Sequence, residues 1–305
     1  MKLVTTTGDF DAFTNNDHIQ SVKYAMEAGF KHFDINLYDP ADEDVLFGDH
    51  WEKEAYNIKN EAEKLGADFL QAHSPNTNNM AGEVGFEDAV LKTTRAIEIC
   101  SVLGINKLVC HAGYDMNVAD KQLWFEENKR FYSALFPIME KTGVNVLCEN
   151  TTKANMPTWY YLVTGSDTRE FCKYVNHPLF HACWDTGHAN CEGNQYQDII
   201  ELADELHAIH FNDNRGERDE HLIPYLGTMN SGEVMNALAD IGFKGPFTLE
   251  CNSSLRPKHY WQGNRRDFDR DTRLENVPLV LAKEMEKVMY TCGKYILQTY
   301  DMFED

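Results

Sequence analysis

Hydrophobic positions along the chain alternate between two periods. Short runs rich in apolar and β-branched residues are each followed by a longer stretch with helical spacing. The short runs predict eight strands, at 2–7, 32–37, 69–74, 107–112, 145–150, 180–185, 208–213 and 246–251. The longer stretches predict eight helices, at 17–28, 50–65, 87–103, 122–142, 168–176, 197–207, 232–241 and 278–298. Strands that alternate with helices indicate an α/β protein with a parallel sheet.

Several predicted helices end at a glycine that is soon followed by a strand, as at Gly66, Gly104 and Gly143. A glycine just past the last helical turn is a common helix stop, and the short connection to a strand is typical of α/β folds. Eight such units without a change in composition favour a closed (β/α)₈ TIM barrel that spans 1–305 as one domain. An open sheet of eight strands is the alternative.

One stretch departs from this pattern. Residues 253–277 are the longest irregular segment, aromatic and locally basic, and they follow the eighth predicted strand. Two interpretations stay open for this segment. It covers the mouth of the barrel, or it forms a surface or subunit contact, in which the aromatic stretch 258–268 would mediate a homo-oligomer.

Charge narrows the classes of partner. The formal net charge is −21 and the sequence pI is about 4.9. An acidic surface repels nucleic acid and anionic membranes, so we expect neither as a partner. The N-terminal sequence lacks the features of a signal peptide, and no run approaches the length of a membrane span. Eight cysteines without a C-x-x-C pair indicate reduced thiols, and together these features predict a cytoplasmic protein.

Six successive predicted strands end in side chains that can bind a metal ion. In a (β/α)₈ barrel the C-terminal strand ends converge on one rim, where active sites are built. A single histidine or glutamate at a strand end is more often a hydrogen-bonded core residue or the first solvated loop residue. Shared by six strands, the pattern indicates a site, because burying such groups unpaired is costly. The residues are His73, His111, Glu149, Asp185 with His188 shortly after it, His210 and Glu250.

Glu149, Asp185, His210 and Glu250 are the candidate ligands of one divalent ion. Three carboxylates and an imidazole suit Mn²⁺, Mg²⁺, Co²⁺ or Zn²⁺. Asp219 and His221 form a D-x-H pair after the seventh strand that would add ligands. The motifs of dinucleotide-binding, P-loop and serine-hydrolase enzymes do not occur in the sequence. A Cys110–His111 nucleophile pair is excluded because neighbours in a strand point to opposite faces.

Other polar and aromatic side chains near the predicted rim are candidates for substrate contact. Arg215 follows His210 by five residues, where it would reach a substrate oxygen or remain a solvated loop residue. The aromatic residues would stack on a sugar or pack the barrel. They are Trp159, Tyr160, Trp184 and Phe211.

Together these motifs resemble the xylose isomerase-like TIM barrel superfamily, and within it the sugar phosphate isomerase/epimerase group. The resemblance covers most of the chain, from the first predicted strand to the eighth. The motifs are specific for the superfamily and not for a substrate. They are Glu149 in LCEN, Asp185 and His188 in WDTGH, His210 in HFND, Asp219 and His221 in DEH, and Glu250 in TLEC.

The resemblance to the ketose 3-epimerases of this superfamily implies a metal-dependent enzyme that acts on a small carbohydrate. It implies one divalent ion on Glu149, Asp185, His210 and Glu250, and a mechanism through a metal-stabilised enediolate. Glu149 and Glu250 would exchange the substrate proton as acid and base. It also implies substrate contacts from His188 and Arg215. Independently of the resemblance, His73 and Trp184 at the predicted rim are further candidates for substrate contact.

The same superfamily contains endonuclease IV-type AP endonucleases, whose three zinc ions offer a second interpretation. Their ligand pattern is matched when five residues are added to the four above. Against this interpretation, Tyr225 and Leu226 interrupt the short Pro–Gly turn after the D-x-H pair, and the acidic charge disfavours DNA. A keto-inositol dehydratase and a non-catalytic metal- or sugar-binding barrel are further alternatives. The added ligands would be His73, His111, His188, Asp219 and His221.

Overall fold

A computed structural model of the chain describes residues 1–38, 40, 44–76, 80, 82–113, 118–156, 159–193, 195–251, 254 and 277–305. The irregular segment 253–277, apart from Ser254 and Val277, lies outside the described residues. Its predicted role as a cap or a subunit contact therefore stays a prediction.

Eight parallel strands close into a barrel. Each strand pairs with the next along the chain, and the eighth strand pairs with the first. The closed barrel confirms the predicted (β/α)₈ fold and excludes the open sheet. Every predicted strand is present within two residues of its expected ends. The strands β1 to β8 are Leu3–Thr6, His32–Asn36, Asp68–His73, Lys107–Cys110, Asn145–Glu149, Phe180–Asp185, Leu206–Phe211 and Phe247–Leu249.

Helices in the described part of the chain surround the barrel. Asp17, Asp120 and Thr164 each accept a backbone N–H at a helix start, as N-cap residues do. Two short helices, Asp11–Thr14 and Thr186–Asn190, were not predicted, and no described helix is long and apolar enough to cross a membrane. The helices α1 to α10 are Asp11–Thr14, His18–Met26, Trp51–Leu65, Gly82–Leu103, Lys121–Thr142, Gly165–Val175, Thr186–Asn190, Gln195–Leu202, Ser231–Asp240 and Leu279–Thr299.

The helix predicted over 197–207 was wrong at its C-terminal end. The α-helix stops at Leu202, a 3₁₀ turn covers Ala203–Glu205, and β7 already begins at Leu206. Ala203 has a φ of 48°, in the left-handed region, which interrupts the helix. Leu206 pairs with Ala182 of β6, next to a register shift in that strand. Residues at the start of β7 also fit the helical spacing, but in the fold they pair with the sheet.

Side chains inside the barrel change character from bottom to top. Val109, Leu147, Cys183 and Ala208 are fully buried and form a small apolar cluster separate from the main core. The alternate residues of the same strands pack under the helices, as the period of a strand requires. All eight cysteines are free thiols. Above the apolar cluster the inward positions are polar, and there the candidate site lies.

Candidate metal centre

Strands β3 to β8 each deliver a candidate side chain to the C-terminal rim. The positions differ by at most one residue from the strand ends, because the strands are parallel and the barrel is closed. Glu149 and Asp185 are the last residues of β5 and β6, His210 lies one residue before the end of β7, and Glu250 directly follows β8. The convergence predicted for this rim is therefore present.

Four of these side chains form one compact group. One ligand atom from each of Glu149, Asp185, His210 and Glu250 lies within 4.8 Å of the others. The Nδ1 atom of His210 is 2.9 Å from Oε1 of Glu149 and 3.3 Å from Oε2 of Glu250. The first three residues are buried, and the Glu250 side chain is 20% exposed, so the group opens toward the rim at Glu250.

Asp185 is held by the turn that follows it. Its Oδ1 accepts a hydrogen bond from the backbone N–H of His188 at 2.6 Å, which makes Asp185 the N-cap of α7. Its Oδ2 accepts from the amide of Asn212 at 2.6 Å. The Asn150 side chain bonds both the backbone N–H and the carbonyl of Asp185. The carboxylate is therefore fixed before any ligand binds.

Glu149 has one oxygen atom that is buried without a hydrogen bond. Its Oε2 accepts none from any residue within the described ranges. The nearest imidazole nitrogens are Nε2 of His111 at 3.3 Å and Nε2 of His73 at 3.5 Å. An unsatisfied buried carboxylate oxygen is costly unless something else coordinates it. The site is thus suited to a cation.

The ionisation of the carboxylates depends on the imidazoles around them. Burial disfavours a charged Glu149, but His210 and His111 outweigh it and hold the pKa well below its usual range. Burial also opposes ionisation of Glu250, yet His210 and His221 lower its pKa to about 2. Asp185 differs, because burial dominates there and raises its pKa to about 6. Both glutamates are therefore carboxylates at neutral pH.

A second group lies beside the first. The Oδ2 atom of Asp219 is 3.3 Å from Nε2 of His188 and 2.9 Å from Nε2 of His221. Ligand atoms of these three buried residues lie within 4.8 Å of one another. Burial opposes a charged His188, but Asp185 and Asp219 raise its pKa to about 10. The predicted D-x-H pair thus lies at the rim and reaches His188.

The remaining candidates divide by position. Arg215 pairs with Glu220 and keeps a side chain that is 52% exposed, within the loop that carries Asp219. Trp184 is fully buried, and its indole N–H donates to Gln195 of α8 at 3.3 Å. Since Asp185 points to the site, the preceding residue of the strand points to the helices. The substrate contact predicted for Trp184 finds no support in this position.

Several polar residues that position the site were not identified from the sequence. Asn150 and Asn212 follow strands β5 and β7 and hold Asp185. Asp34 and Gln71 lie inside strands, where an apolar pattern hides single polar residues. Asp34 and Gln71 pair with each other in the register of β2 and β3, which exists only in the folded sheet, so the sequence gives no signal for them.

The group fits a divalent ion. Three carboxylates and one imidazole are hard-to-borderline ligands, and the unsatisfied Oε2 of Glu149 lies among them. Glu149, Asp185, His210 and Glu250 are the residues that would hold it.

Comparisons with known proteins agree with this fold. A family model described as "Xylose isomerase-like TIM barrel" matches residues 22–269. The chain is 28% identical over 173 residues to the uncharacterized protein MJ1311 of Methanocaldococcus jannaschii, which covers 53% of this chain and 55% of that protein. The chain spans about half the length of the curated relatives it matches.

Solved structures with the same barrel include several sugar epimerases. A D-psicose 3-epimerase crystallised in the presence of D-fructose has a TM-score of 0.75 and 17% identity, over 97% of this chain and 99% of that one. The 3-keto-D-glucoside 4-epimerase YcjR from E. coli has a TM-score of 0.67 and 16% identity, over 96% and 99%. At these identities the likeness shows the fold alone.

Proposed function

The chain belongs to the xylose isomerase-like TIM barrel family, and from this premise we propose that it is a divalent-metal-dependent isomerase or epimerase of a ketose or related keto-sugar. One observation carries the proposal. Glu149, Asp185, His210 and Glu250 converge within 4.8 Å at the rim where barrel enzymes hold their substrates. The sugar epimerases among the structural neighbours support a small carbohydrate as the substrate.

The proposed ion, Mn²⁺, Zn²⁺, Co²⁺ or Mg²⁺, would be held by these four side chains. When bound, it supplies a Lewis acid that polarises a substrate carbonyl. Asp185 serves only as a ligand in this scheme, because its carboxylate is held by the N–H of His188 and the amide of Asn212.

Glu149 and Glu250 are the proposed acid–base pair. Their strands, β5 and β8, lie on either side of β7 in the barrel order, and Nδ1 of His210 lies 2.9 Å from the Glu149 carboxylate and 3.3 Å from that of Glu250. One carboxylate removes the proton from the carbon next to the carbonyl. The other returns a proton to the opposite face for epimerisation, or the first redelivers it to the neighbouring carbon for isomerisation. Their low pKa values leave both ionised at neutral pH, so either can act as the base, and the one that donates a proton on the opposite face must first take one up from solvent.

Substrate oxygens would be held by residues around this centre. His73 and His111 face Glu149 from the side of β3 and β4, with their ring centroids 5.2 Å apart. His188 lies in α7, directly after β6, and the exposed Arg215 lies in the loop after β7. We propose hydroxyl contacts for His73, His188 and Arg215.

The additional candidate ligands leave a metal-dependent hydrolase as an alternative that the test must distinguish. His188, Asp219 and His221 form a possible second ion site, and His73, His111 and Glu149 a third. A protein that bound three zinc ions would match the AP endonuclease pattern. The number of ions per chain therefore separates the two functions.

The test combines a metal count with proton exchange. Elemental mass spectrometry of the purified protein should give one ion per chain. NMR in D₂O should show deuterium incorporated next to the carbonyl of at least one member of a ketose panel. Glu149→Gln and Glu250→Gln should each slow this exchange by a factor of roughly 10³ or more, because the acid–base group is lost.

Glu217→Gln is the matched control, because Glu217 is an exposed carboxylate in the loop after β7. Circular dichroism should show that all three variants keep the fold. Wild-type exchange rates in both glutamate variants would refute the proposed acid–base pair. If the protein bound three zinc ions per chain and cleaved abasic DNA, the proposed sugar isomerase or epimerase function would be wrong, and the protein would be a nuclease.

A further inference from the structure

A buried polar group lies directly beneath the proposed metal centre. Asp34, Gln71 and Thr248 are each at most 2% exposed. The side-chain nitrogen of Gln71 lies 2.9 Å from Oδ2 of Asp34 and 2.7 Å from Nε2 of His210. The Thr248 hydroxyl lies 3.4 Å from Oε1 of Gln71. Polar side chains in a barrel interior are costly, so this group calls for a role beyond packing.

The two ring nitrogens of His210 have different surroundings. Nδ1 faces the carboxylates of Glu149 and Glu250, whereas Nε2 faces the carboxamide of Gln71. Nδ1 is therefore the nitrogen that would bind a cation. A histidine binds a cation through an unprotonated nitrogen, which leaves the ring proton on the other one.

A proton on Nε2 of His210 requires a hydrogen-bond acceptor. The oxygen and nitrogen of a glutamine carboxamide exchange places by a half-turn, and hydrogen-bond partners decide between the two orientations. With the nitrogen of Gln71 at 2.7 Å from Nε2, two donors would face each other once the ring proton is on Nε2. With the oxygen there, the pair becomes a hydrogen bond.

We infer that Gln71 is a positioning residue, which accepts the Nε2–H of His210 through its carboxamide oxygen and so presents Nδ1 as the metal-binding atom. The inference rests on the proposed metal centre. Histidine ligands in metal sites usually donate their second ring N–H to such a partner, which fixes both tautomer and ring orientation.

Asp34 and Thr248 complete the arrangement. In the half-turned orientation the nitrogen of Gln71 faces the Thr248 hydroxyl, which accepts a hydrogen bond. The oxygen of Gln71 then also faces Asp34, which bonds to it as a protonated carboxyl. Burial raises the pKa of Asp34 to about 6, so near neutral pH only part of the population is protonated, and the hydrogen bond to the Gln71 oxygen has to stabilise that form.

The register of the strands places these residues together. Asp34 and Gln71 are partners across β2 and β3, and His210 and Thr248 are partners across β7 and β8. Two pairs of adjacent residues thus meet across the barrel interior, and His210 of one pair is itself a proposed ion ligand.

The first test measures Zn²⁺ affinity by competition with a chromophoric chelator. Gln71→Met keeps the length of the side chain without the carboxamide, and it should weaken Zn²⁺ binding about 10- to 100-fold, the usual effect of losing such a partner. Asp34→Asn should bind Zn²⁺ within about threefold of wild type, because its amide can donate permanently to the oxygen of Gln71. A role in packing alone would not separate the two variants in this way.

The second test needs no variant. Long-range ¹H–¹⁵N NMR of histidine-labelled, Zn²⁺-loaded protein should show His210 with its proton on Nε2 and Zn²⁺ on Nδ1. Zn²⁺ on Nε2, or Gln71→Met with wild-type affinity, would overturn the inference and leave the proposed metal centre standing. Absence of Zn²⁺ binding in the wild type would overturn both.

Discussion

His207 stacks on His181 near the N-terminal ends of β6 and β7, far from the rim. The ring centroids are 3.6 Å apart and the planes meet at 21°. Burial, His181 and Lys107 lower the pKa of His207 from 6.5 to about 4, against an opposing effect of Asp204. Because the folded chain disfavours the charged ring, protonation of His207 favours unfolding. This contribution to stability is intact above pH 6.5 and is lost as the pH falls toward 4.

His207→Gln should remove this pH dependence. The glutamine loses the stacking and costs stability at pH 7, but it never becomes charged. Between pH 6.5 and pH 4.5 the free energy of unfolding of the wild type should fall by about 1 kcal/mol more than that of the variant, a figure reduced for partial exposure. Urea unfolding at three pH values measures the difference. The exposed His50→Gln serves as the control, and an equal fall in wild type and His207→Gln would contradict the prediction.

Individual site residues could be predicted from the sequence only where they lie at the end of a predicted strand. Glu149 and Asp185 follow apolar runs, so their place at the rim could be predicted from the sequence. Trp184 also lies at the end of β6, but the pleat of the strand turns it toward α8. Gln71 could not be found, because its partner His210 is 139 residues away and no local pattern links them.

At the scale of elements, the loop between β7 and α9 depends on one buried carboxylate. Asp213 accepts four backbone N–H groups, through Oδ1 and Oδ2, at 2.8–3.1 Å. A further pair of backbone hydrogen bonds joins Asp213 and Leu222. The residues between these contacts include Asp219 and His221. The N–H donors come from Asn214, Tyr225, Gly227 and Met229.

Asp213→Asn should loosen this loop. An amide offers one oxygen acceptor where the carboxylate has two, so part of the N–H set is left unsatisfied. We expect a loss of about 2–4 kcal/mol in the free energy of local opening, given the cost of unsatisfied buried donors. Hydrogen exchange measured by mass spectrometry over 212–230 reports this opening. Exchange in the variant equal to that of Glu217→Gln, an exposed carboxylate of the same loop, would refute the role of Asp213.

Elements with a long periodic pattern were predicted well, whereas short elements and element ends were predicted poorly. All eight strands and the long helices follow from the spacing of apolar residues. Helix α7 has only five residues and begins at the cap made by Asp185, so it lacks a periodic pattern. The start of β7 at Leu206 depends on pairing with Ala182, which no local sequence encodes.

At the scale of the molecule, a net charge of −21 is combined with three carboxylates that converge inside the barrel rim. Glu149, Asp185 and Glu250 come from three different strands and approach one another only in the folded chain. A divalent ion held there therefore binds the folded state and stabilises it. At a free ion concentration about 1,000 times the Kd, the gain is about 4 kcal/mol.

Removing the ion with a chelator should lower the Tm. An unfolding entropy of about 2 cal/mol/K per residue converts a 4 kcal/mol loss into a fall of about 6 °C for a chain of this length. Differential scanning calorimetry of chelated protein, before and after Mn²⁺ or Zn²⁺ is restored, measures it. Asp185→Asn is the matched variant, because asparagine is an equally good N-cap for α7 but a weaker ligand. Its Tm should rise far less when the ion is added.

A Tm shift in Asp185→Asn as large as in the wild type would show that the stabilising ion binds elsewhere. If the Tm of the wild type did not change, the proposed function would lose its metal centre.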